Sequence, residues 1–237
     1  MPILPVEIAK GLWRVPTLGR DLINSYIIEN DDSTVSLVDC GLKSTSKRLL
    51  SAMSSIDKSP GSVREILITH AHFDHLGGAF RVRSATGAKT HIHAHDRTYA
   101  QSGKNPPISV PGPLGKVLAL AGSRIPSCHI DVELADGDRL DIGGGLQVLH
   151  TPGHSPGHCS FLLEKSGVLI TGDAIMNFRD KLSYAFSAFC YDPDMCKDTA
   201  TRLGECDYDV AAFTHGPPIF DRARESLRNF IQKGRIS

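Results

Sequence analysis

The amino-acid sequence predicts a layered α/β (α+β) protein, and three observations carry that reading. Short apolar runs of strand length recur along the chain, segments with helical apolar spacing are interleaved with them, and polar residues capable of chemistry fall just after several of the runs. At 237 residues the chain is long enough for one large domain or two closely packed halves around a real core.

Residues 3 to 39 read as strands: Gly11-Leu12-Trp13-Arg14-Val15, Ser25-Tyr26-Ile27-Ile28 and Thr34-Val35-Ser36-Leu37-Val38, separated by Gly, Asn and Asp turn residues. Runs joined this closely should pair antiparallel. Residues 45 to 57 place Leu49, Leu50, Met53 and Ile56 at helical spacing, which predicts an amphipathic helix covering one face. Glu65-Ile66-Leu67-Ile68 is a short buried strand, after which the chain turns through Leu76-Gly77-Gly78-Ala79-Phe80 into a helix. In Lys89-Thr90-His91-Ile92-His93-Ala94-His95 the imidazoles alternate as on a half-exposed strand, and that surface or structural reading is preferred over a chelate. Residues 101 to 127 carry Pro106, Pro107, Pro111, Pro113 and Pro126 around the apolar segment Val117-Leu118-Ala119-Leu120-Ala121. A long connection of this kind reads either as a functional lid or as a floppy insertion, and a substrate-covering lid, with room for a short helix of its own, is the favoured reading. Strands resume at 132–134, 139–142, 146–149, 158–163 and 167–170, and helices at 194–204 and 219–233 flank a last strand at 210–213. Each half supplies strands followed by strand-helix units. The predicted architecture is a single domain over 1–237, a four-layer αββα sandwich.

The chemistry concentrates in Ile68-Thr69-His70-Ala71-His72-Phe73-Asp74-His75. His70 and His72 are two apart, so at the end of an extended segment both imidazoles point to one side and can share one ion. The turn that follows carries Asp74 and His75 to a second position beside the first. The bland alternative is a His-rich turn with solvated side chains. Three later residues weigh against it: His154 in Thr151-Pro152-Gly153-His154-Ser155-Pro156-Gly157-His158, Asp173 after Leu169-Ile170-Thr171-Gly172, and His215 after Phe213-Thr214. Each follows an apolar run, where a strand ends and a loop begins, the usual place for site residues in a layered α/β protein.

This set resembles the metallo-β-lactamase superfamily over essentially the whole chain, from Val38-Asp39-Cys40-Gly41, similar to the family's early Asp-x-Gly turn, to His215-Gly216-Pro217-Pro218. The resemblance implies that His70, His72 and His154 hold one metal, that Asp74, His75 and His215 hold another, that Asp173 bridges the two, and that Asp39 orients a ligand. Ligand counting agrees: seven protein groups are too many for one tetrahedral zinc but suit two metals sharing a carboxylate and a hydroxide. Five imidazoles and two carboxylates suit two divalent ions, zinc (Zn2+) best, with iron or manganese (Fe, Mn) also compatible. The implied activity is hydrolysis of an ester, thioester or lactone bond in a small-molecule substrate. The shared hydroxide would be the nucleophile and Asp74 would also serve catalysis, relaying a proton to the leaving group.

Within the superfamily the chain resembles the glyoxalase II-like and N-acyl homoserine lactone lactonase-like branch. The lactonases share the Thr-Pro-Gly-His-Ser-Pro-Gly-His stretch and a counterpart of Asp192-Pro193, but carry a tyrosine about three residues after the bridging Asp, where this chain has Met176. Tyr184 and Asn177, downstream of Asp173, are the candidate substrate contacts. The alternatives on the same fold are a mononuclear-iron sulfur (persulfide) dioxygenase and a phosphodiesterase.

Basic and acidic residues number 26 each, which gives no general attraction to nucleic acid or to an anionic membrane surface. No stretch approaches the roughly 18 apolar residues of a membrane span, and Met1-Pro2-Ile3-Leu4-Pro5-Val6-Glu7 does not read as a signal peptide. The expected location is cytoplasmic, with monomer and homodimer both open. Cys40, Cys128, Cys159, Cys190, Cys196 and Cys206 lack metal-ligand spacing and read as small buried hydrophobes, with Cys40 and Cys190 the two that could approach the site. His129, His150 and His158 are expected to bond backbone or neighbouring side chains rather than metal.

Overall fold

Strands that are buried on both faces read in sequence as unbroken apolar runs, and the centre of this chain is built from such strands. The computed structural model describes residues 4–109 and 124–234. A seven-stranded sheet runs in chain order: β1 (Val6–Ala9), β2 (Leu12–Leu18), β3 (Ile23–Glu29), β4 (Val35–Val38), β5 (Val63–Leu67), β6 (Lys89–His93) and β7 (Val132–Leu134). The first four pair antiparallel, as their short connections require, and β4 to β7 pair in parallel. Between the parallel strands lie α1 (Ser46–Ser54), α2 (Ala79–Thr86) and α3 (Ala94–Ser102).

The second sheet contains β8 (Arg139–Leu140), β9 (Leu146–His150), β10 (Cys159–Leu163), β11 (Val168–Ile170) and β14 (Val210–Ala212), in the order β14-β11-β10-β9-β8. Both β9 and β11 are antiparallel to β10, and β14 is parallel to β11, so β9, β11 and β14 all end at the same edge of the molecule. Helices α4 (Pro193–Ala200) and α5 (Ala223–Gly234) cover its outer face.

Successive side chains of a strand point to opposite faces, and the core follows that alternation. Ile27, Leu37, Ile66 and Ile68 pack under Leu49, Met53 and Val82 of the first helices. Their neighbours Ile28, Val38 and Leu67 face the second sheet and meet Val148, Phe161, Leu163, Val168 and Ile170. Leu149, Leu162, Leu169 and Phe213 lie beyond that sheet, against Ala200, Leu203, Leu227 and Ile231. Three apolar layers thus separate four layers of secondary structure, the αββα order. No helix among the described residues is long and apolar enough to cross a membrane.

Several elements differ from the sequence expectation. β6 is not half-exposed: Thr90, His91, Ile92 and His93 are all buried, because parallel strands flank it and both sheet faces are covered. The helix expected from residue 219 begins at Ala223, since Ile219 first pairs with Ala211 in an antiparallel bridge. That expected over 194–204 is α4, capped by the Asp192 carboxylate on the N–H groups of Asp194 and Met195, and followed by a 3-10 turn over Thr201–Gly204. A hairpin of β12 (Met176–Phe178) and β13 (Lys181–Ser183), absent from the sequence reading, follows the second sheet. Of the expected lid, residues 110–123, including the apolar segment 117–121, lie outside the described residues.

The inter-sheet layer makes a quantitative expectation. Phe161 is fully buried there, whereas Phe80 is 61% exposed. Phe161→Ala should cost about 3–5 kcal/mol in urea unfolding, and Phe80→Ala less than about 0.5 kcal/mol.

Candidate metal centre

The strand ends deliver the donor residues. His70 lies three residues past β5, His154 four past β9, Asp173 three past β11 and His215 three past β14. The two sheets are joined here by a backbone bond from Cys159 N–H to the Thr69 carbonyl at 2.9 Å. Ring centroids of His70, His72 and His154 lie 4.6, 4.6 and 4.5 Å apart. The nitrogens of that trio lie within coordination reach of one another, as do the donor atoms of Asp74, His75 and His215 and those of His70, His75 and Asp173. Asp173 stands between the groups, with Oδ2 3.3 Å from both His154 Nε2 and His215 Nε2, and Oδ1 3.4 Å from His75 Nε2. Asp74 Oδ2 is 3.5 Å from His215 Nε2. All seven residues singled out in the sequence therefore converge.

The opposite nitrogens of most rings are already engaged, which leaves one inward-facing nitrogen each. His75 Nδ1 bonds Asp39 Oδ2 at 2.8 Å, His70 Nδ1 lies 3.0 Å from Thr69 Oγ1, and His215 Nδ1 donates to the Leu22 carbonyl at 2.5 Å. His154 Nδ1 faces Cys190 Sγ at 3.7 Å. His72 is the exception and turns Nδ1 inward, 2.8 Å from His154 Nε2. His70 Nε2 and His75 Nε2 are buried and have no hydrogen-bond partner among the described residues. Buried polar atoms are normally satisfied, so His70 Nε2, a neutral ring's nitrogen left without a partner among the described residues, fits a cation.

Electrostatics divides the donors into two groups. Burial drives His70 and His154 well below the ordinary histidine range, neighbouring imidazoles adding to it, and takes His72 down to about 4 and His158 to about 3. These rings are neutral. Burial opposes charge on His75 and His215 as well, but the Asp173 and Asp74 carboxylates, with Asp39 behind His75, outweigh it. They hold His75 well above its usual value and lift His215 to about 9. Against its own burial, Asp173 is held well below the carboxylate range by His215 and His75.

A second set of groups fixes the donors in place. Asp39, in left-handed backbone at φ 58°, accepts from Thr69 N–H at 2.9 Å and Thr69 Oγ1 at 2.8 Å besides its bond to His75. His158 Nε2 accepts from Asp173 N–H at 2.8 Å. Gly172 permits this, since a Cβ there would lie 2.5 Å from that nitrogen. Thr214 Oγ1 donates to Asp173 Oδ1 at 2.6 Å.

Sequence reasoning missed Asp96. Its buried carboxylate accepts from Ala71 N–H at 2.8 Å, Gly157 N–H at 2.7 Å and Ser155 Oγ at 2.6 Å, so it ties the His70–His72 segment to the His154 loop. Nothing local marked it, because an acid in the first turn of a helix ordinarily complements the helix dipole. Asn24 and Tyr26 were also missed; Asn24 Nδ2 bonds the carbonyls of Phe213 and Gly216, and Tyr26 Oη donates to that of Phe213 at 2.6 Å.

The two expected substrate contacts, Tyr184 and Asn177, are not among the residues that line the cavity at the donors. Tyr184 packs on Phe230 of α5, ring centroids 4.7 Å apart, because the β12–β13 hairpin turns the chain toward that helix and away from the donors. Asn177 is buried and its Nδ2 donates to the Pro217 carbonyl at 2.8 Å, so it holds the His215 loop. His72, Asp74, His154, Asp173 and His215 line a cavity of about 940 Å³ whose walls are mainly apolar: Phe73, Met176, Phe178, Phe186, Phe189, Ile108 and Ile125. The described flanks of the 101–127 segment contribute Lys104, Pro106, Pro107 and Arg124 to the same wall.

Two packed sheets with His and Asp donors at their shared end define a metal-dependent hydrolase. The model of the metallo-beta-lactamase superfamily matches residues 18–215, and the chain belongs to that superfamily. "Probable metallo-hydrolase YflN" of Bacillus subtilis (strain 168) is 25% identical over 232 residues, covering 90% of this chain and 86% of its own. An N-acyl homoserine lactonase of Bacillus thuringiensis is 30% identical over 167 residues, 67% of this chain and 56% of its own. The HARLDQ-motif metallo-β-lactamase of Cronobacter sakazakii superposes with a TM-score of 0.76 at 19% identity, over 99% of this chain and 93% of its own, and shares the fold.

Removing the Asp96 brace leaves three donors without an acceptor. Asp96→Ala should lower unfolding stability by about 3 kcal/mol or more in urea titration, with metal content falling alongside.

Proposed function

We propose that this chain hydrolyses an ester, thioester or lactone bond in a small molecule that carries an apolar group, with two divalent metal ions, zinc by the chemistry of the donors. The observation that carries the reading is the placing of Asp173 between His70/His72/His154 and Asp74/His75/His215 at one end of a cavity with apolar walls. His70, His72 and His154 would hold one ion, Asp74, His75 and His215 the other, and Asp173 would touch both. Ions bound there supply Lewis-acid polarisation and make water a nucleophile at neutral pH.

The chain's own residues do the rest. Asp74 lines the cavity with its carboxylate partly exposed, and its Oδ2 can take a proton from the attacking side and pass it to a leaving oxygen or sulfur. Thr214 and His158 fix the Asp173 carboxylate and backbone so that neither has to reorganise during the reaction. Phe73, Phe178, Phe186 and Phe189 shield the reacting bond from bulk water and hold the apolar part of the substrate. Cys190 is no rival nucleophile: its contact with Cys196 and its burial push the thiol far up. The relative named as a lactonase supports the lactone member of the class.

The test is metal quantification on the purified chain combined with a panel of thioesters, lactones, aryl esters and phosphodiesters. At least about two ions per chain are expected, with turnover of the ester-type members and a loss of at least about a thousandfold in Asp173→Ala. Activity that survives Asp173→Ala, or a single iron with oxygen consumed on a persulfide, would overturn the proposal. The apolar wall gives a second expectation. Phe186→Ala should raise KM for a long-chain acyl ester about five- to tenfold, with little effect on an acetyl ester, in steady-state kinetics.

A further inference from the structure

A second group of three histidines lies outside the centre described above and shares no residue with it. His93 closes β6 in the seven-stranded sheet, His95 stands in the first turn of α3, and His150 closes β9 in the other sheet. A nitrogen of each lies within coordination reach of the others. The ring centroids are 4.9 Å apart for His93–His95, 3.9 Å for His93–His150, which stack at 11°, and 5.6 Å for His95–His150. The rings of His70, His72 and His154 meet edge-on at 80 to 87°, whereas the planes of His93 and His150 are nearly parallel, so one of these two rings has to turn before both lone pairs reach one ion. We propose that His93, His95 and His150 form a separate site for a divalent transition metal of the zinc class, which clips the two sheets together beside the His154 loop.

The surroundings suit such an ion. His150 Nε2 lies 3.0 Å from the Pro156 carbonyl, an arrangement that places the proton on Nε2 and frees Nδ1 for a metal. An ion has to undo the His93–His150 stack and the contact from His95 N–H to His93 Nδ1, at 3.3 Å and near the long limit of a hydrogen bond. Burial and the two neighbouring imidazoles take His93 down to about 4, so this ring is neutral and a ready ligand at neutral pH. Asp136 and Asp138 add negative charge nearby, and the neighbouring cation, Arg202, is paired with Asp136 at 2.9 Å. His95 is exposed, which leaves a fourth position open to water, as three neutral nitrogens on a borderline metal require. Asp96, adjacent to His95, is the residue that braces the His70–His72 and His154 segments. An ion at this trio therefore stiffens the frame of the inner centre without touching it.

The experiment uses the full chain without a histidine tag, stripped with a chelator, reloaded with excess Zn2+, desalted and analysed for metal. His95→Ala alters an exposed ring, and His150→Gln gives an independent check. Each variant should retain one equivalent less than the wild type, whatever the inner centre holds. The Zn2+-induced rise in Tm should be smaller by a few degrees, and hydrolytic activity in His95→Ala should be unchanged. With Cu2+ added after the inner centre has been filled with Zn2+, the nitrogen-coupled signal from the second trio should be present in the wild type and lost in His95→Ala by electron paramagnetic resonance. Equal metal content and equal Tm shifts in wild type and variants would overturn the proposal, as would an extra equivalent that desalting removes from all three proteins alike.

Discussion

Five imidazoles and two carboxylates cannot be buried together at the end of two packed sheets unless their charges and lone pairs are compensated. That constraint organises the molecule. The seven side chains belong to segments up to 145 residues apart in sequence, from His70 to His215, and the scaffold exists to hold them at separations of about 3 Å. Without a cation, protons on His75 and His215 balance Asp173 and Asp74. The neutral rings of His70, His72 and His154 have no such balance, and the inward Nε2 of His70 has no hydrogen-bond partner among the described residues.

The compensation extends outward through groups that never face the cavity. Asp39 orients His75 and pins Thr69, His158 and Thr214 fix Asp173 from two sides, and Asp96 joins the segments that carry three of the donors. Each is buried, so each bond is protected from competition with water. A donor set supported in this way keeps its geometry when a substrate enters, and preorganisation of this kind is what electrostatic catalysis relies on. Gly153 shows how tightly the layers close: a Cβ there would lie 2.1 Å from the Cys196 amide nitrogen of α4.

Much of this was legible in the sequence because strand ends and polar punctuation are local signals. His70, His72, Asp74, His75, His154, Asp173 and His215 each announce themselves by following an apolar run, and the alternation of Ile27/Ile28 or Leu37/Val38 encodes which layer each faces. What was illegible depends on tertiary contact. The role of Asp96 is set by loops 25 and about 60 residues away. Tyr184 and Asn177 follow Asp173 closely in sequence, but Asn177 lies in the first strand of a hairpin whose second strand leads the tyrosine to α5. His91 and His93 alternate as a half-exposed strand would, yet covered sheet faces bury both, and the partner of His93 is His150, from a different sheet.

The strap from β3 to the His215 loop has a bearing on how the protein is made. Asn24 and Tyr26 bond the Phe213 carbonyl across 189 and 187 residues, and the Leu22 carbonyl reaches His215 across 193. Contacts of such sequence separation form late and slowly. During synthesis the first sheet and its histidine-rich turn emerge well before the residues that complete them. The nascent chain therefore carries a half-built cluster of imidazoles until β14 docks, and the finished pocket waits on that strand.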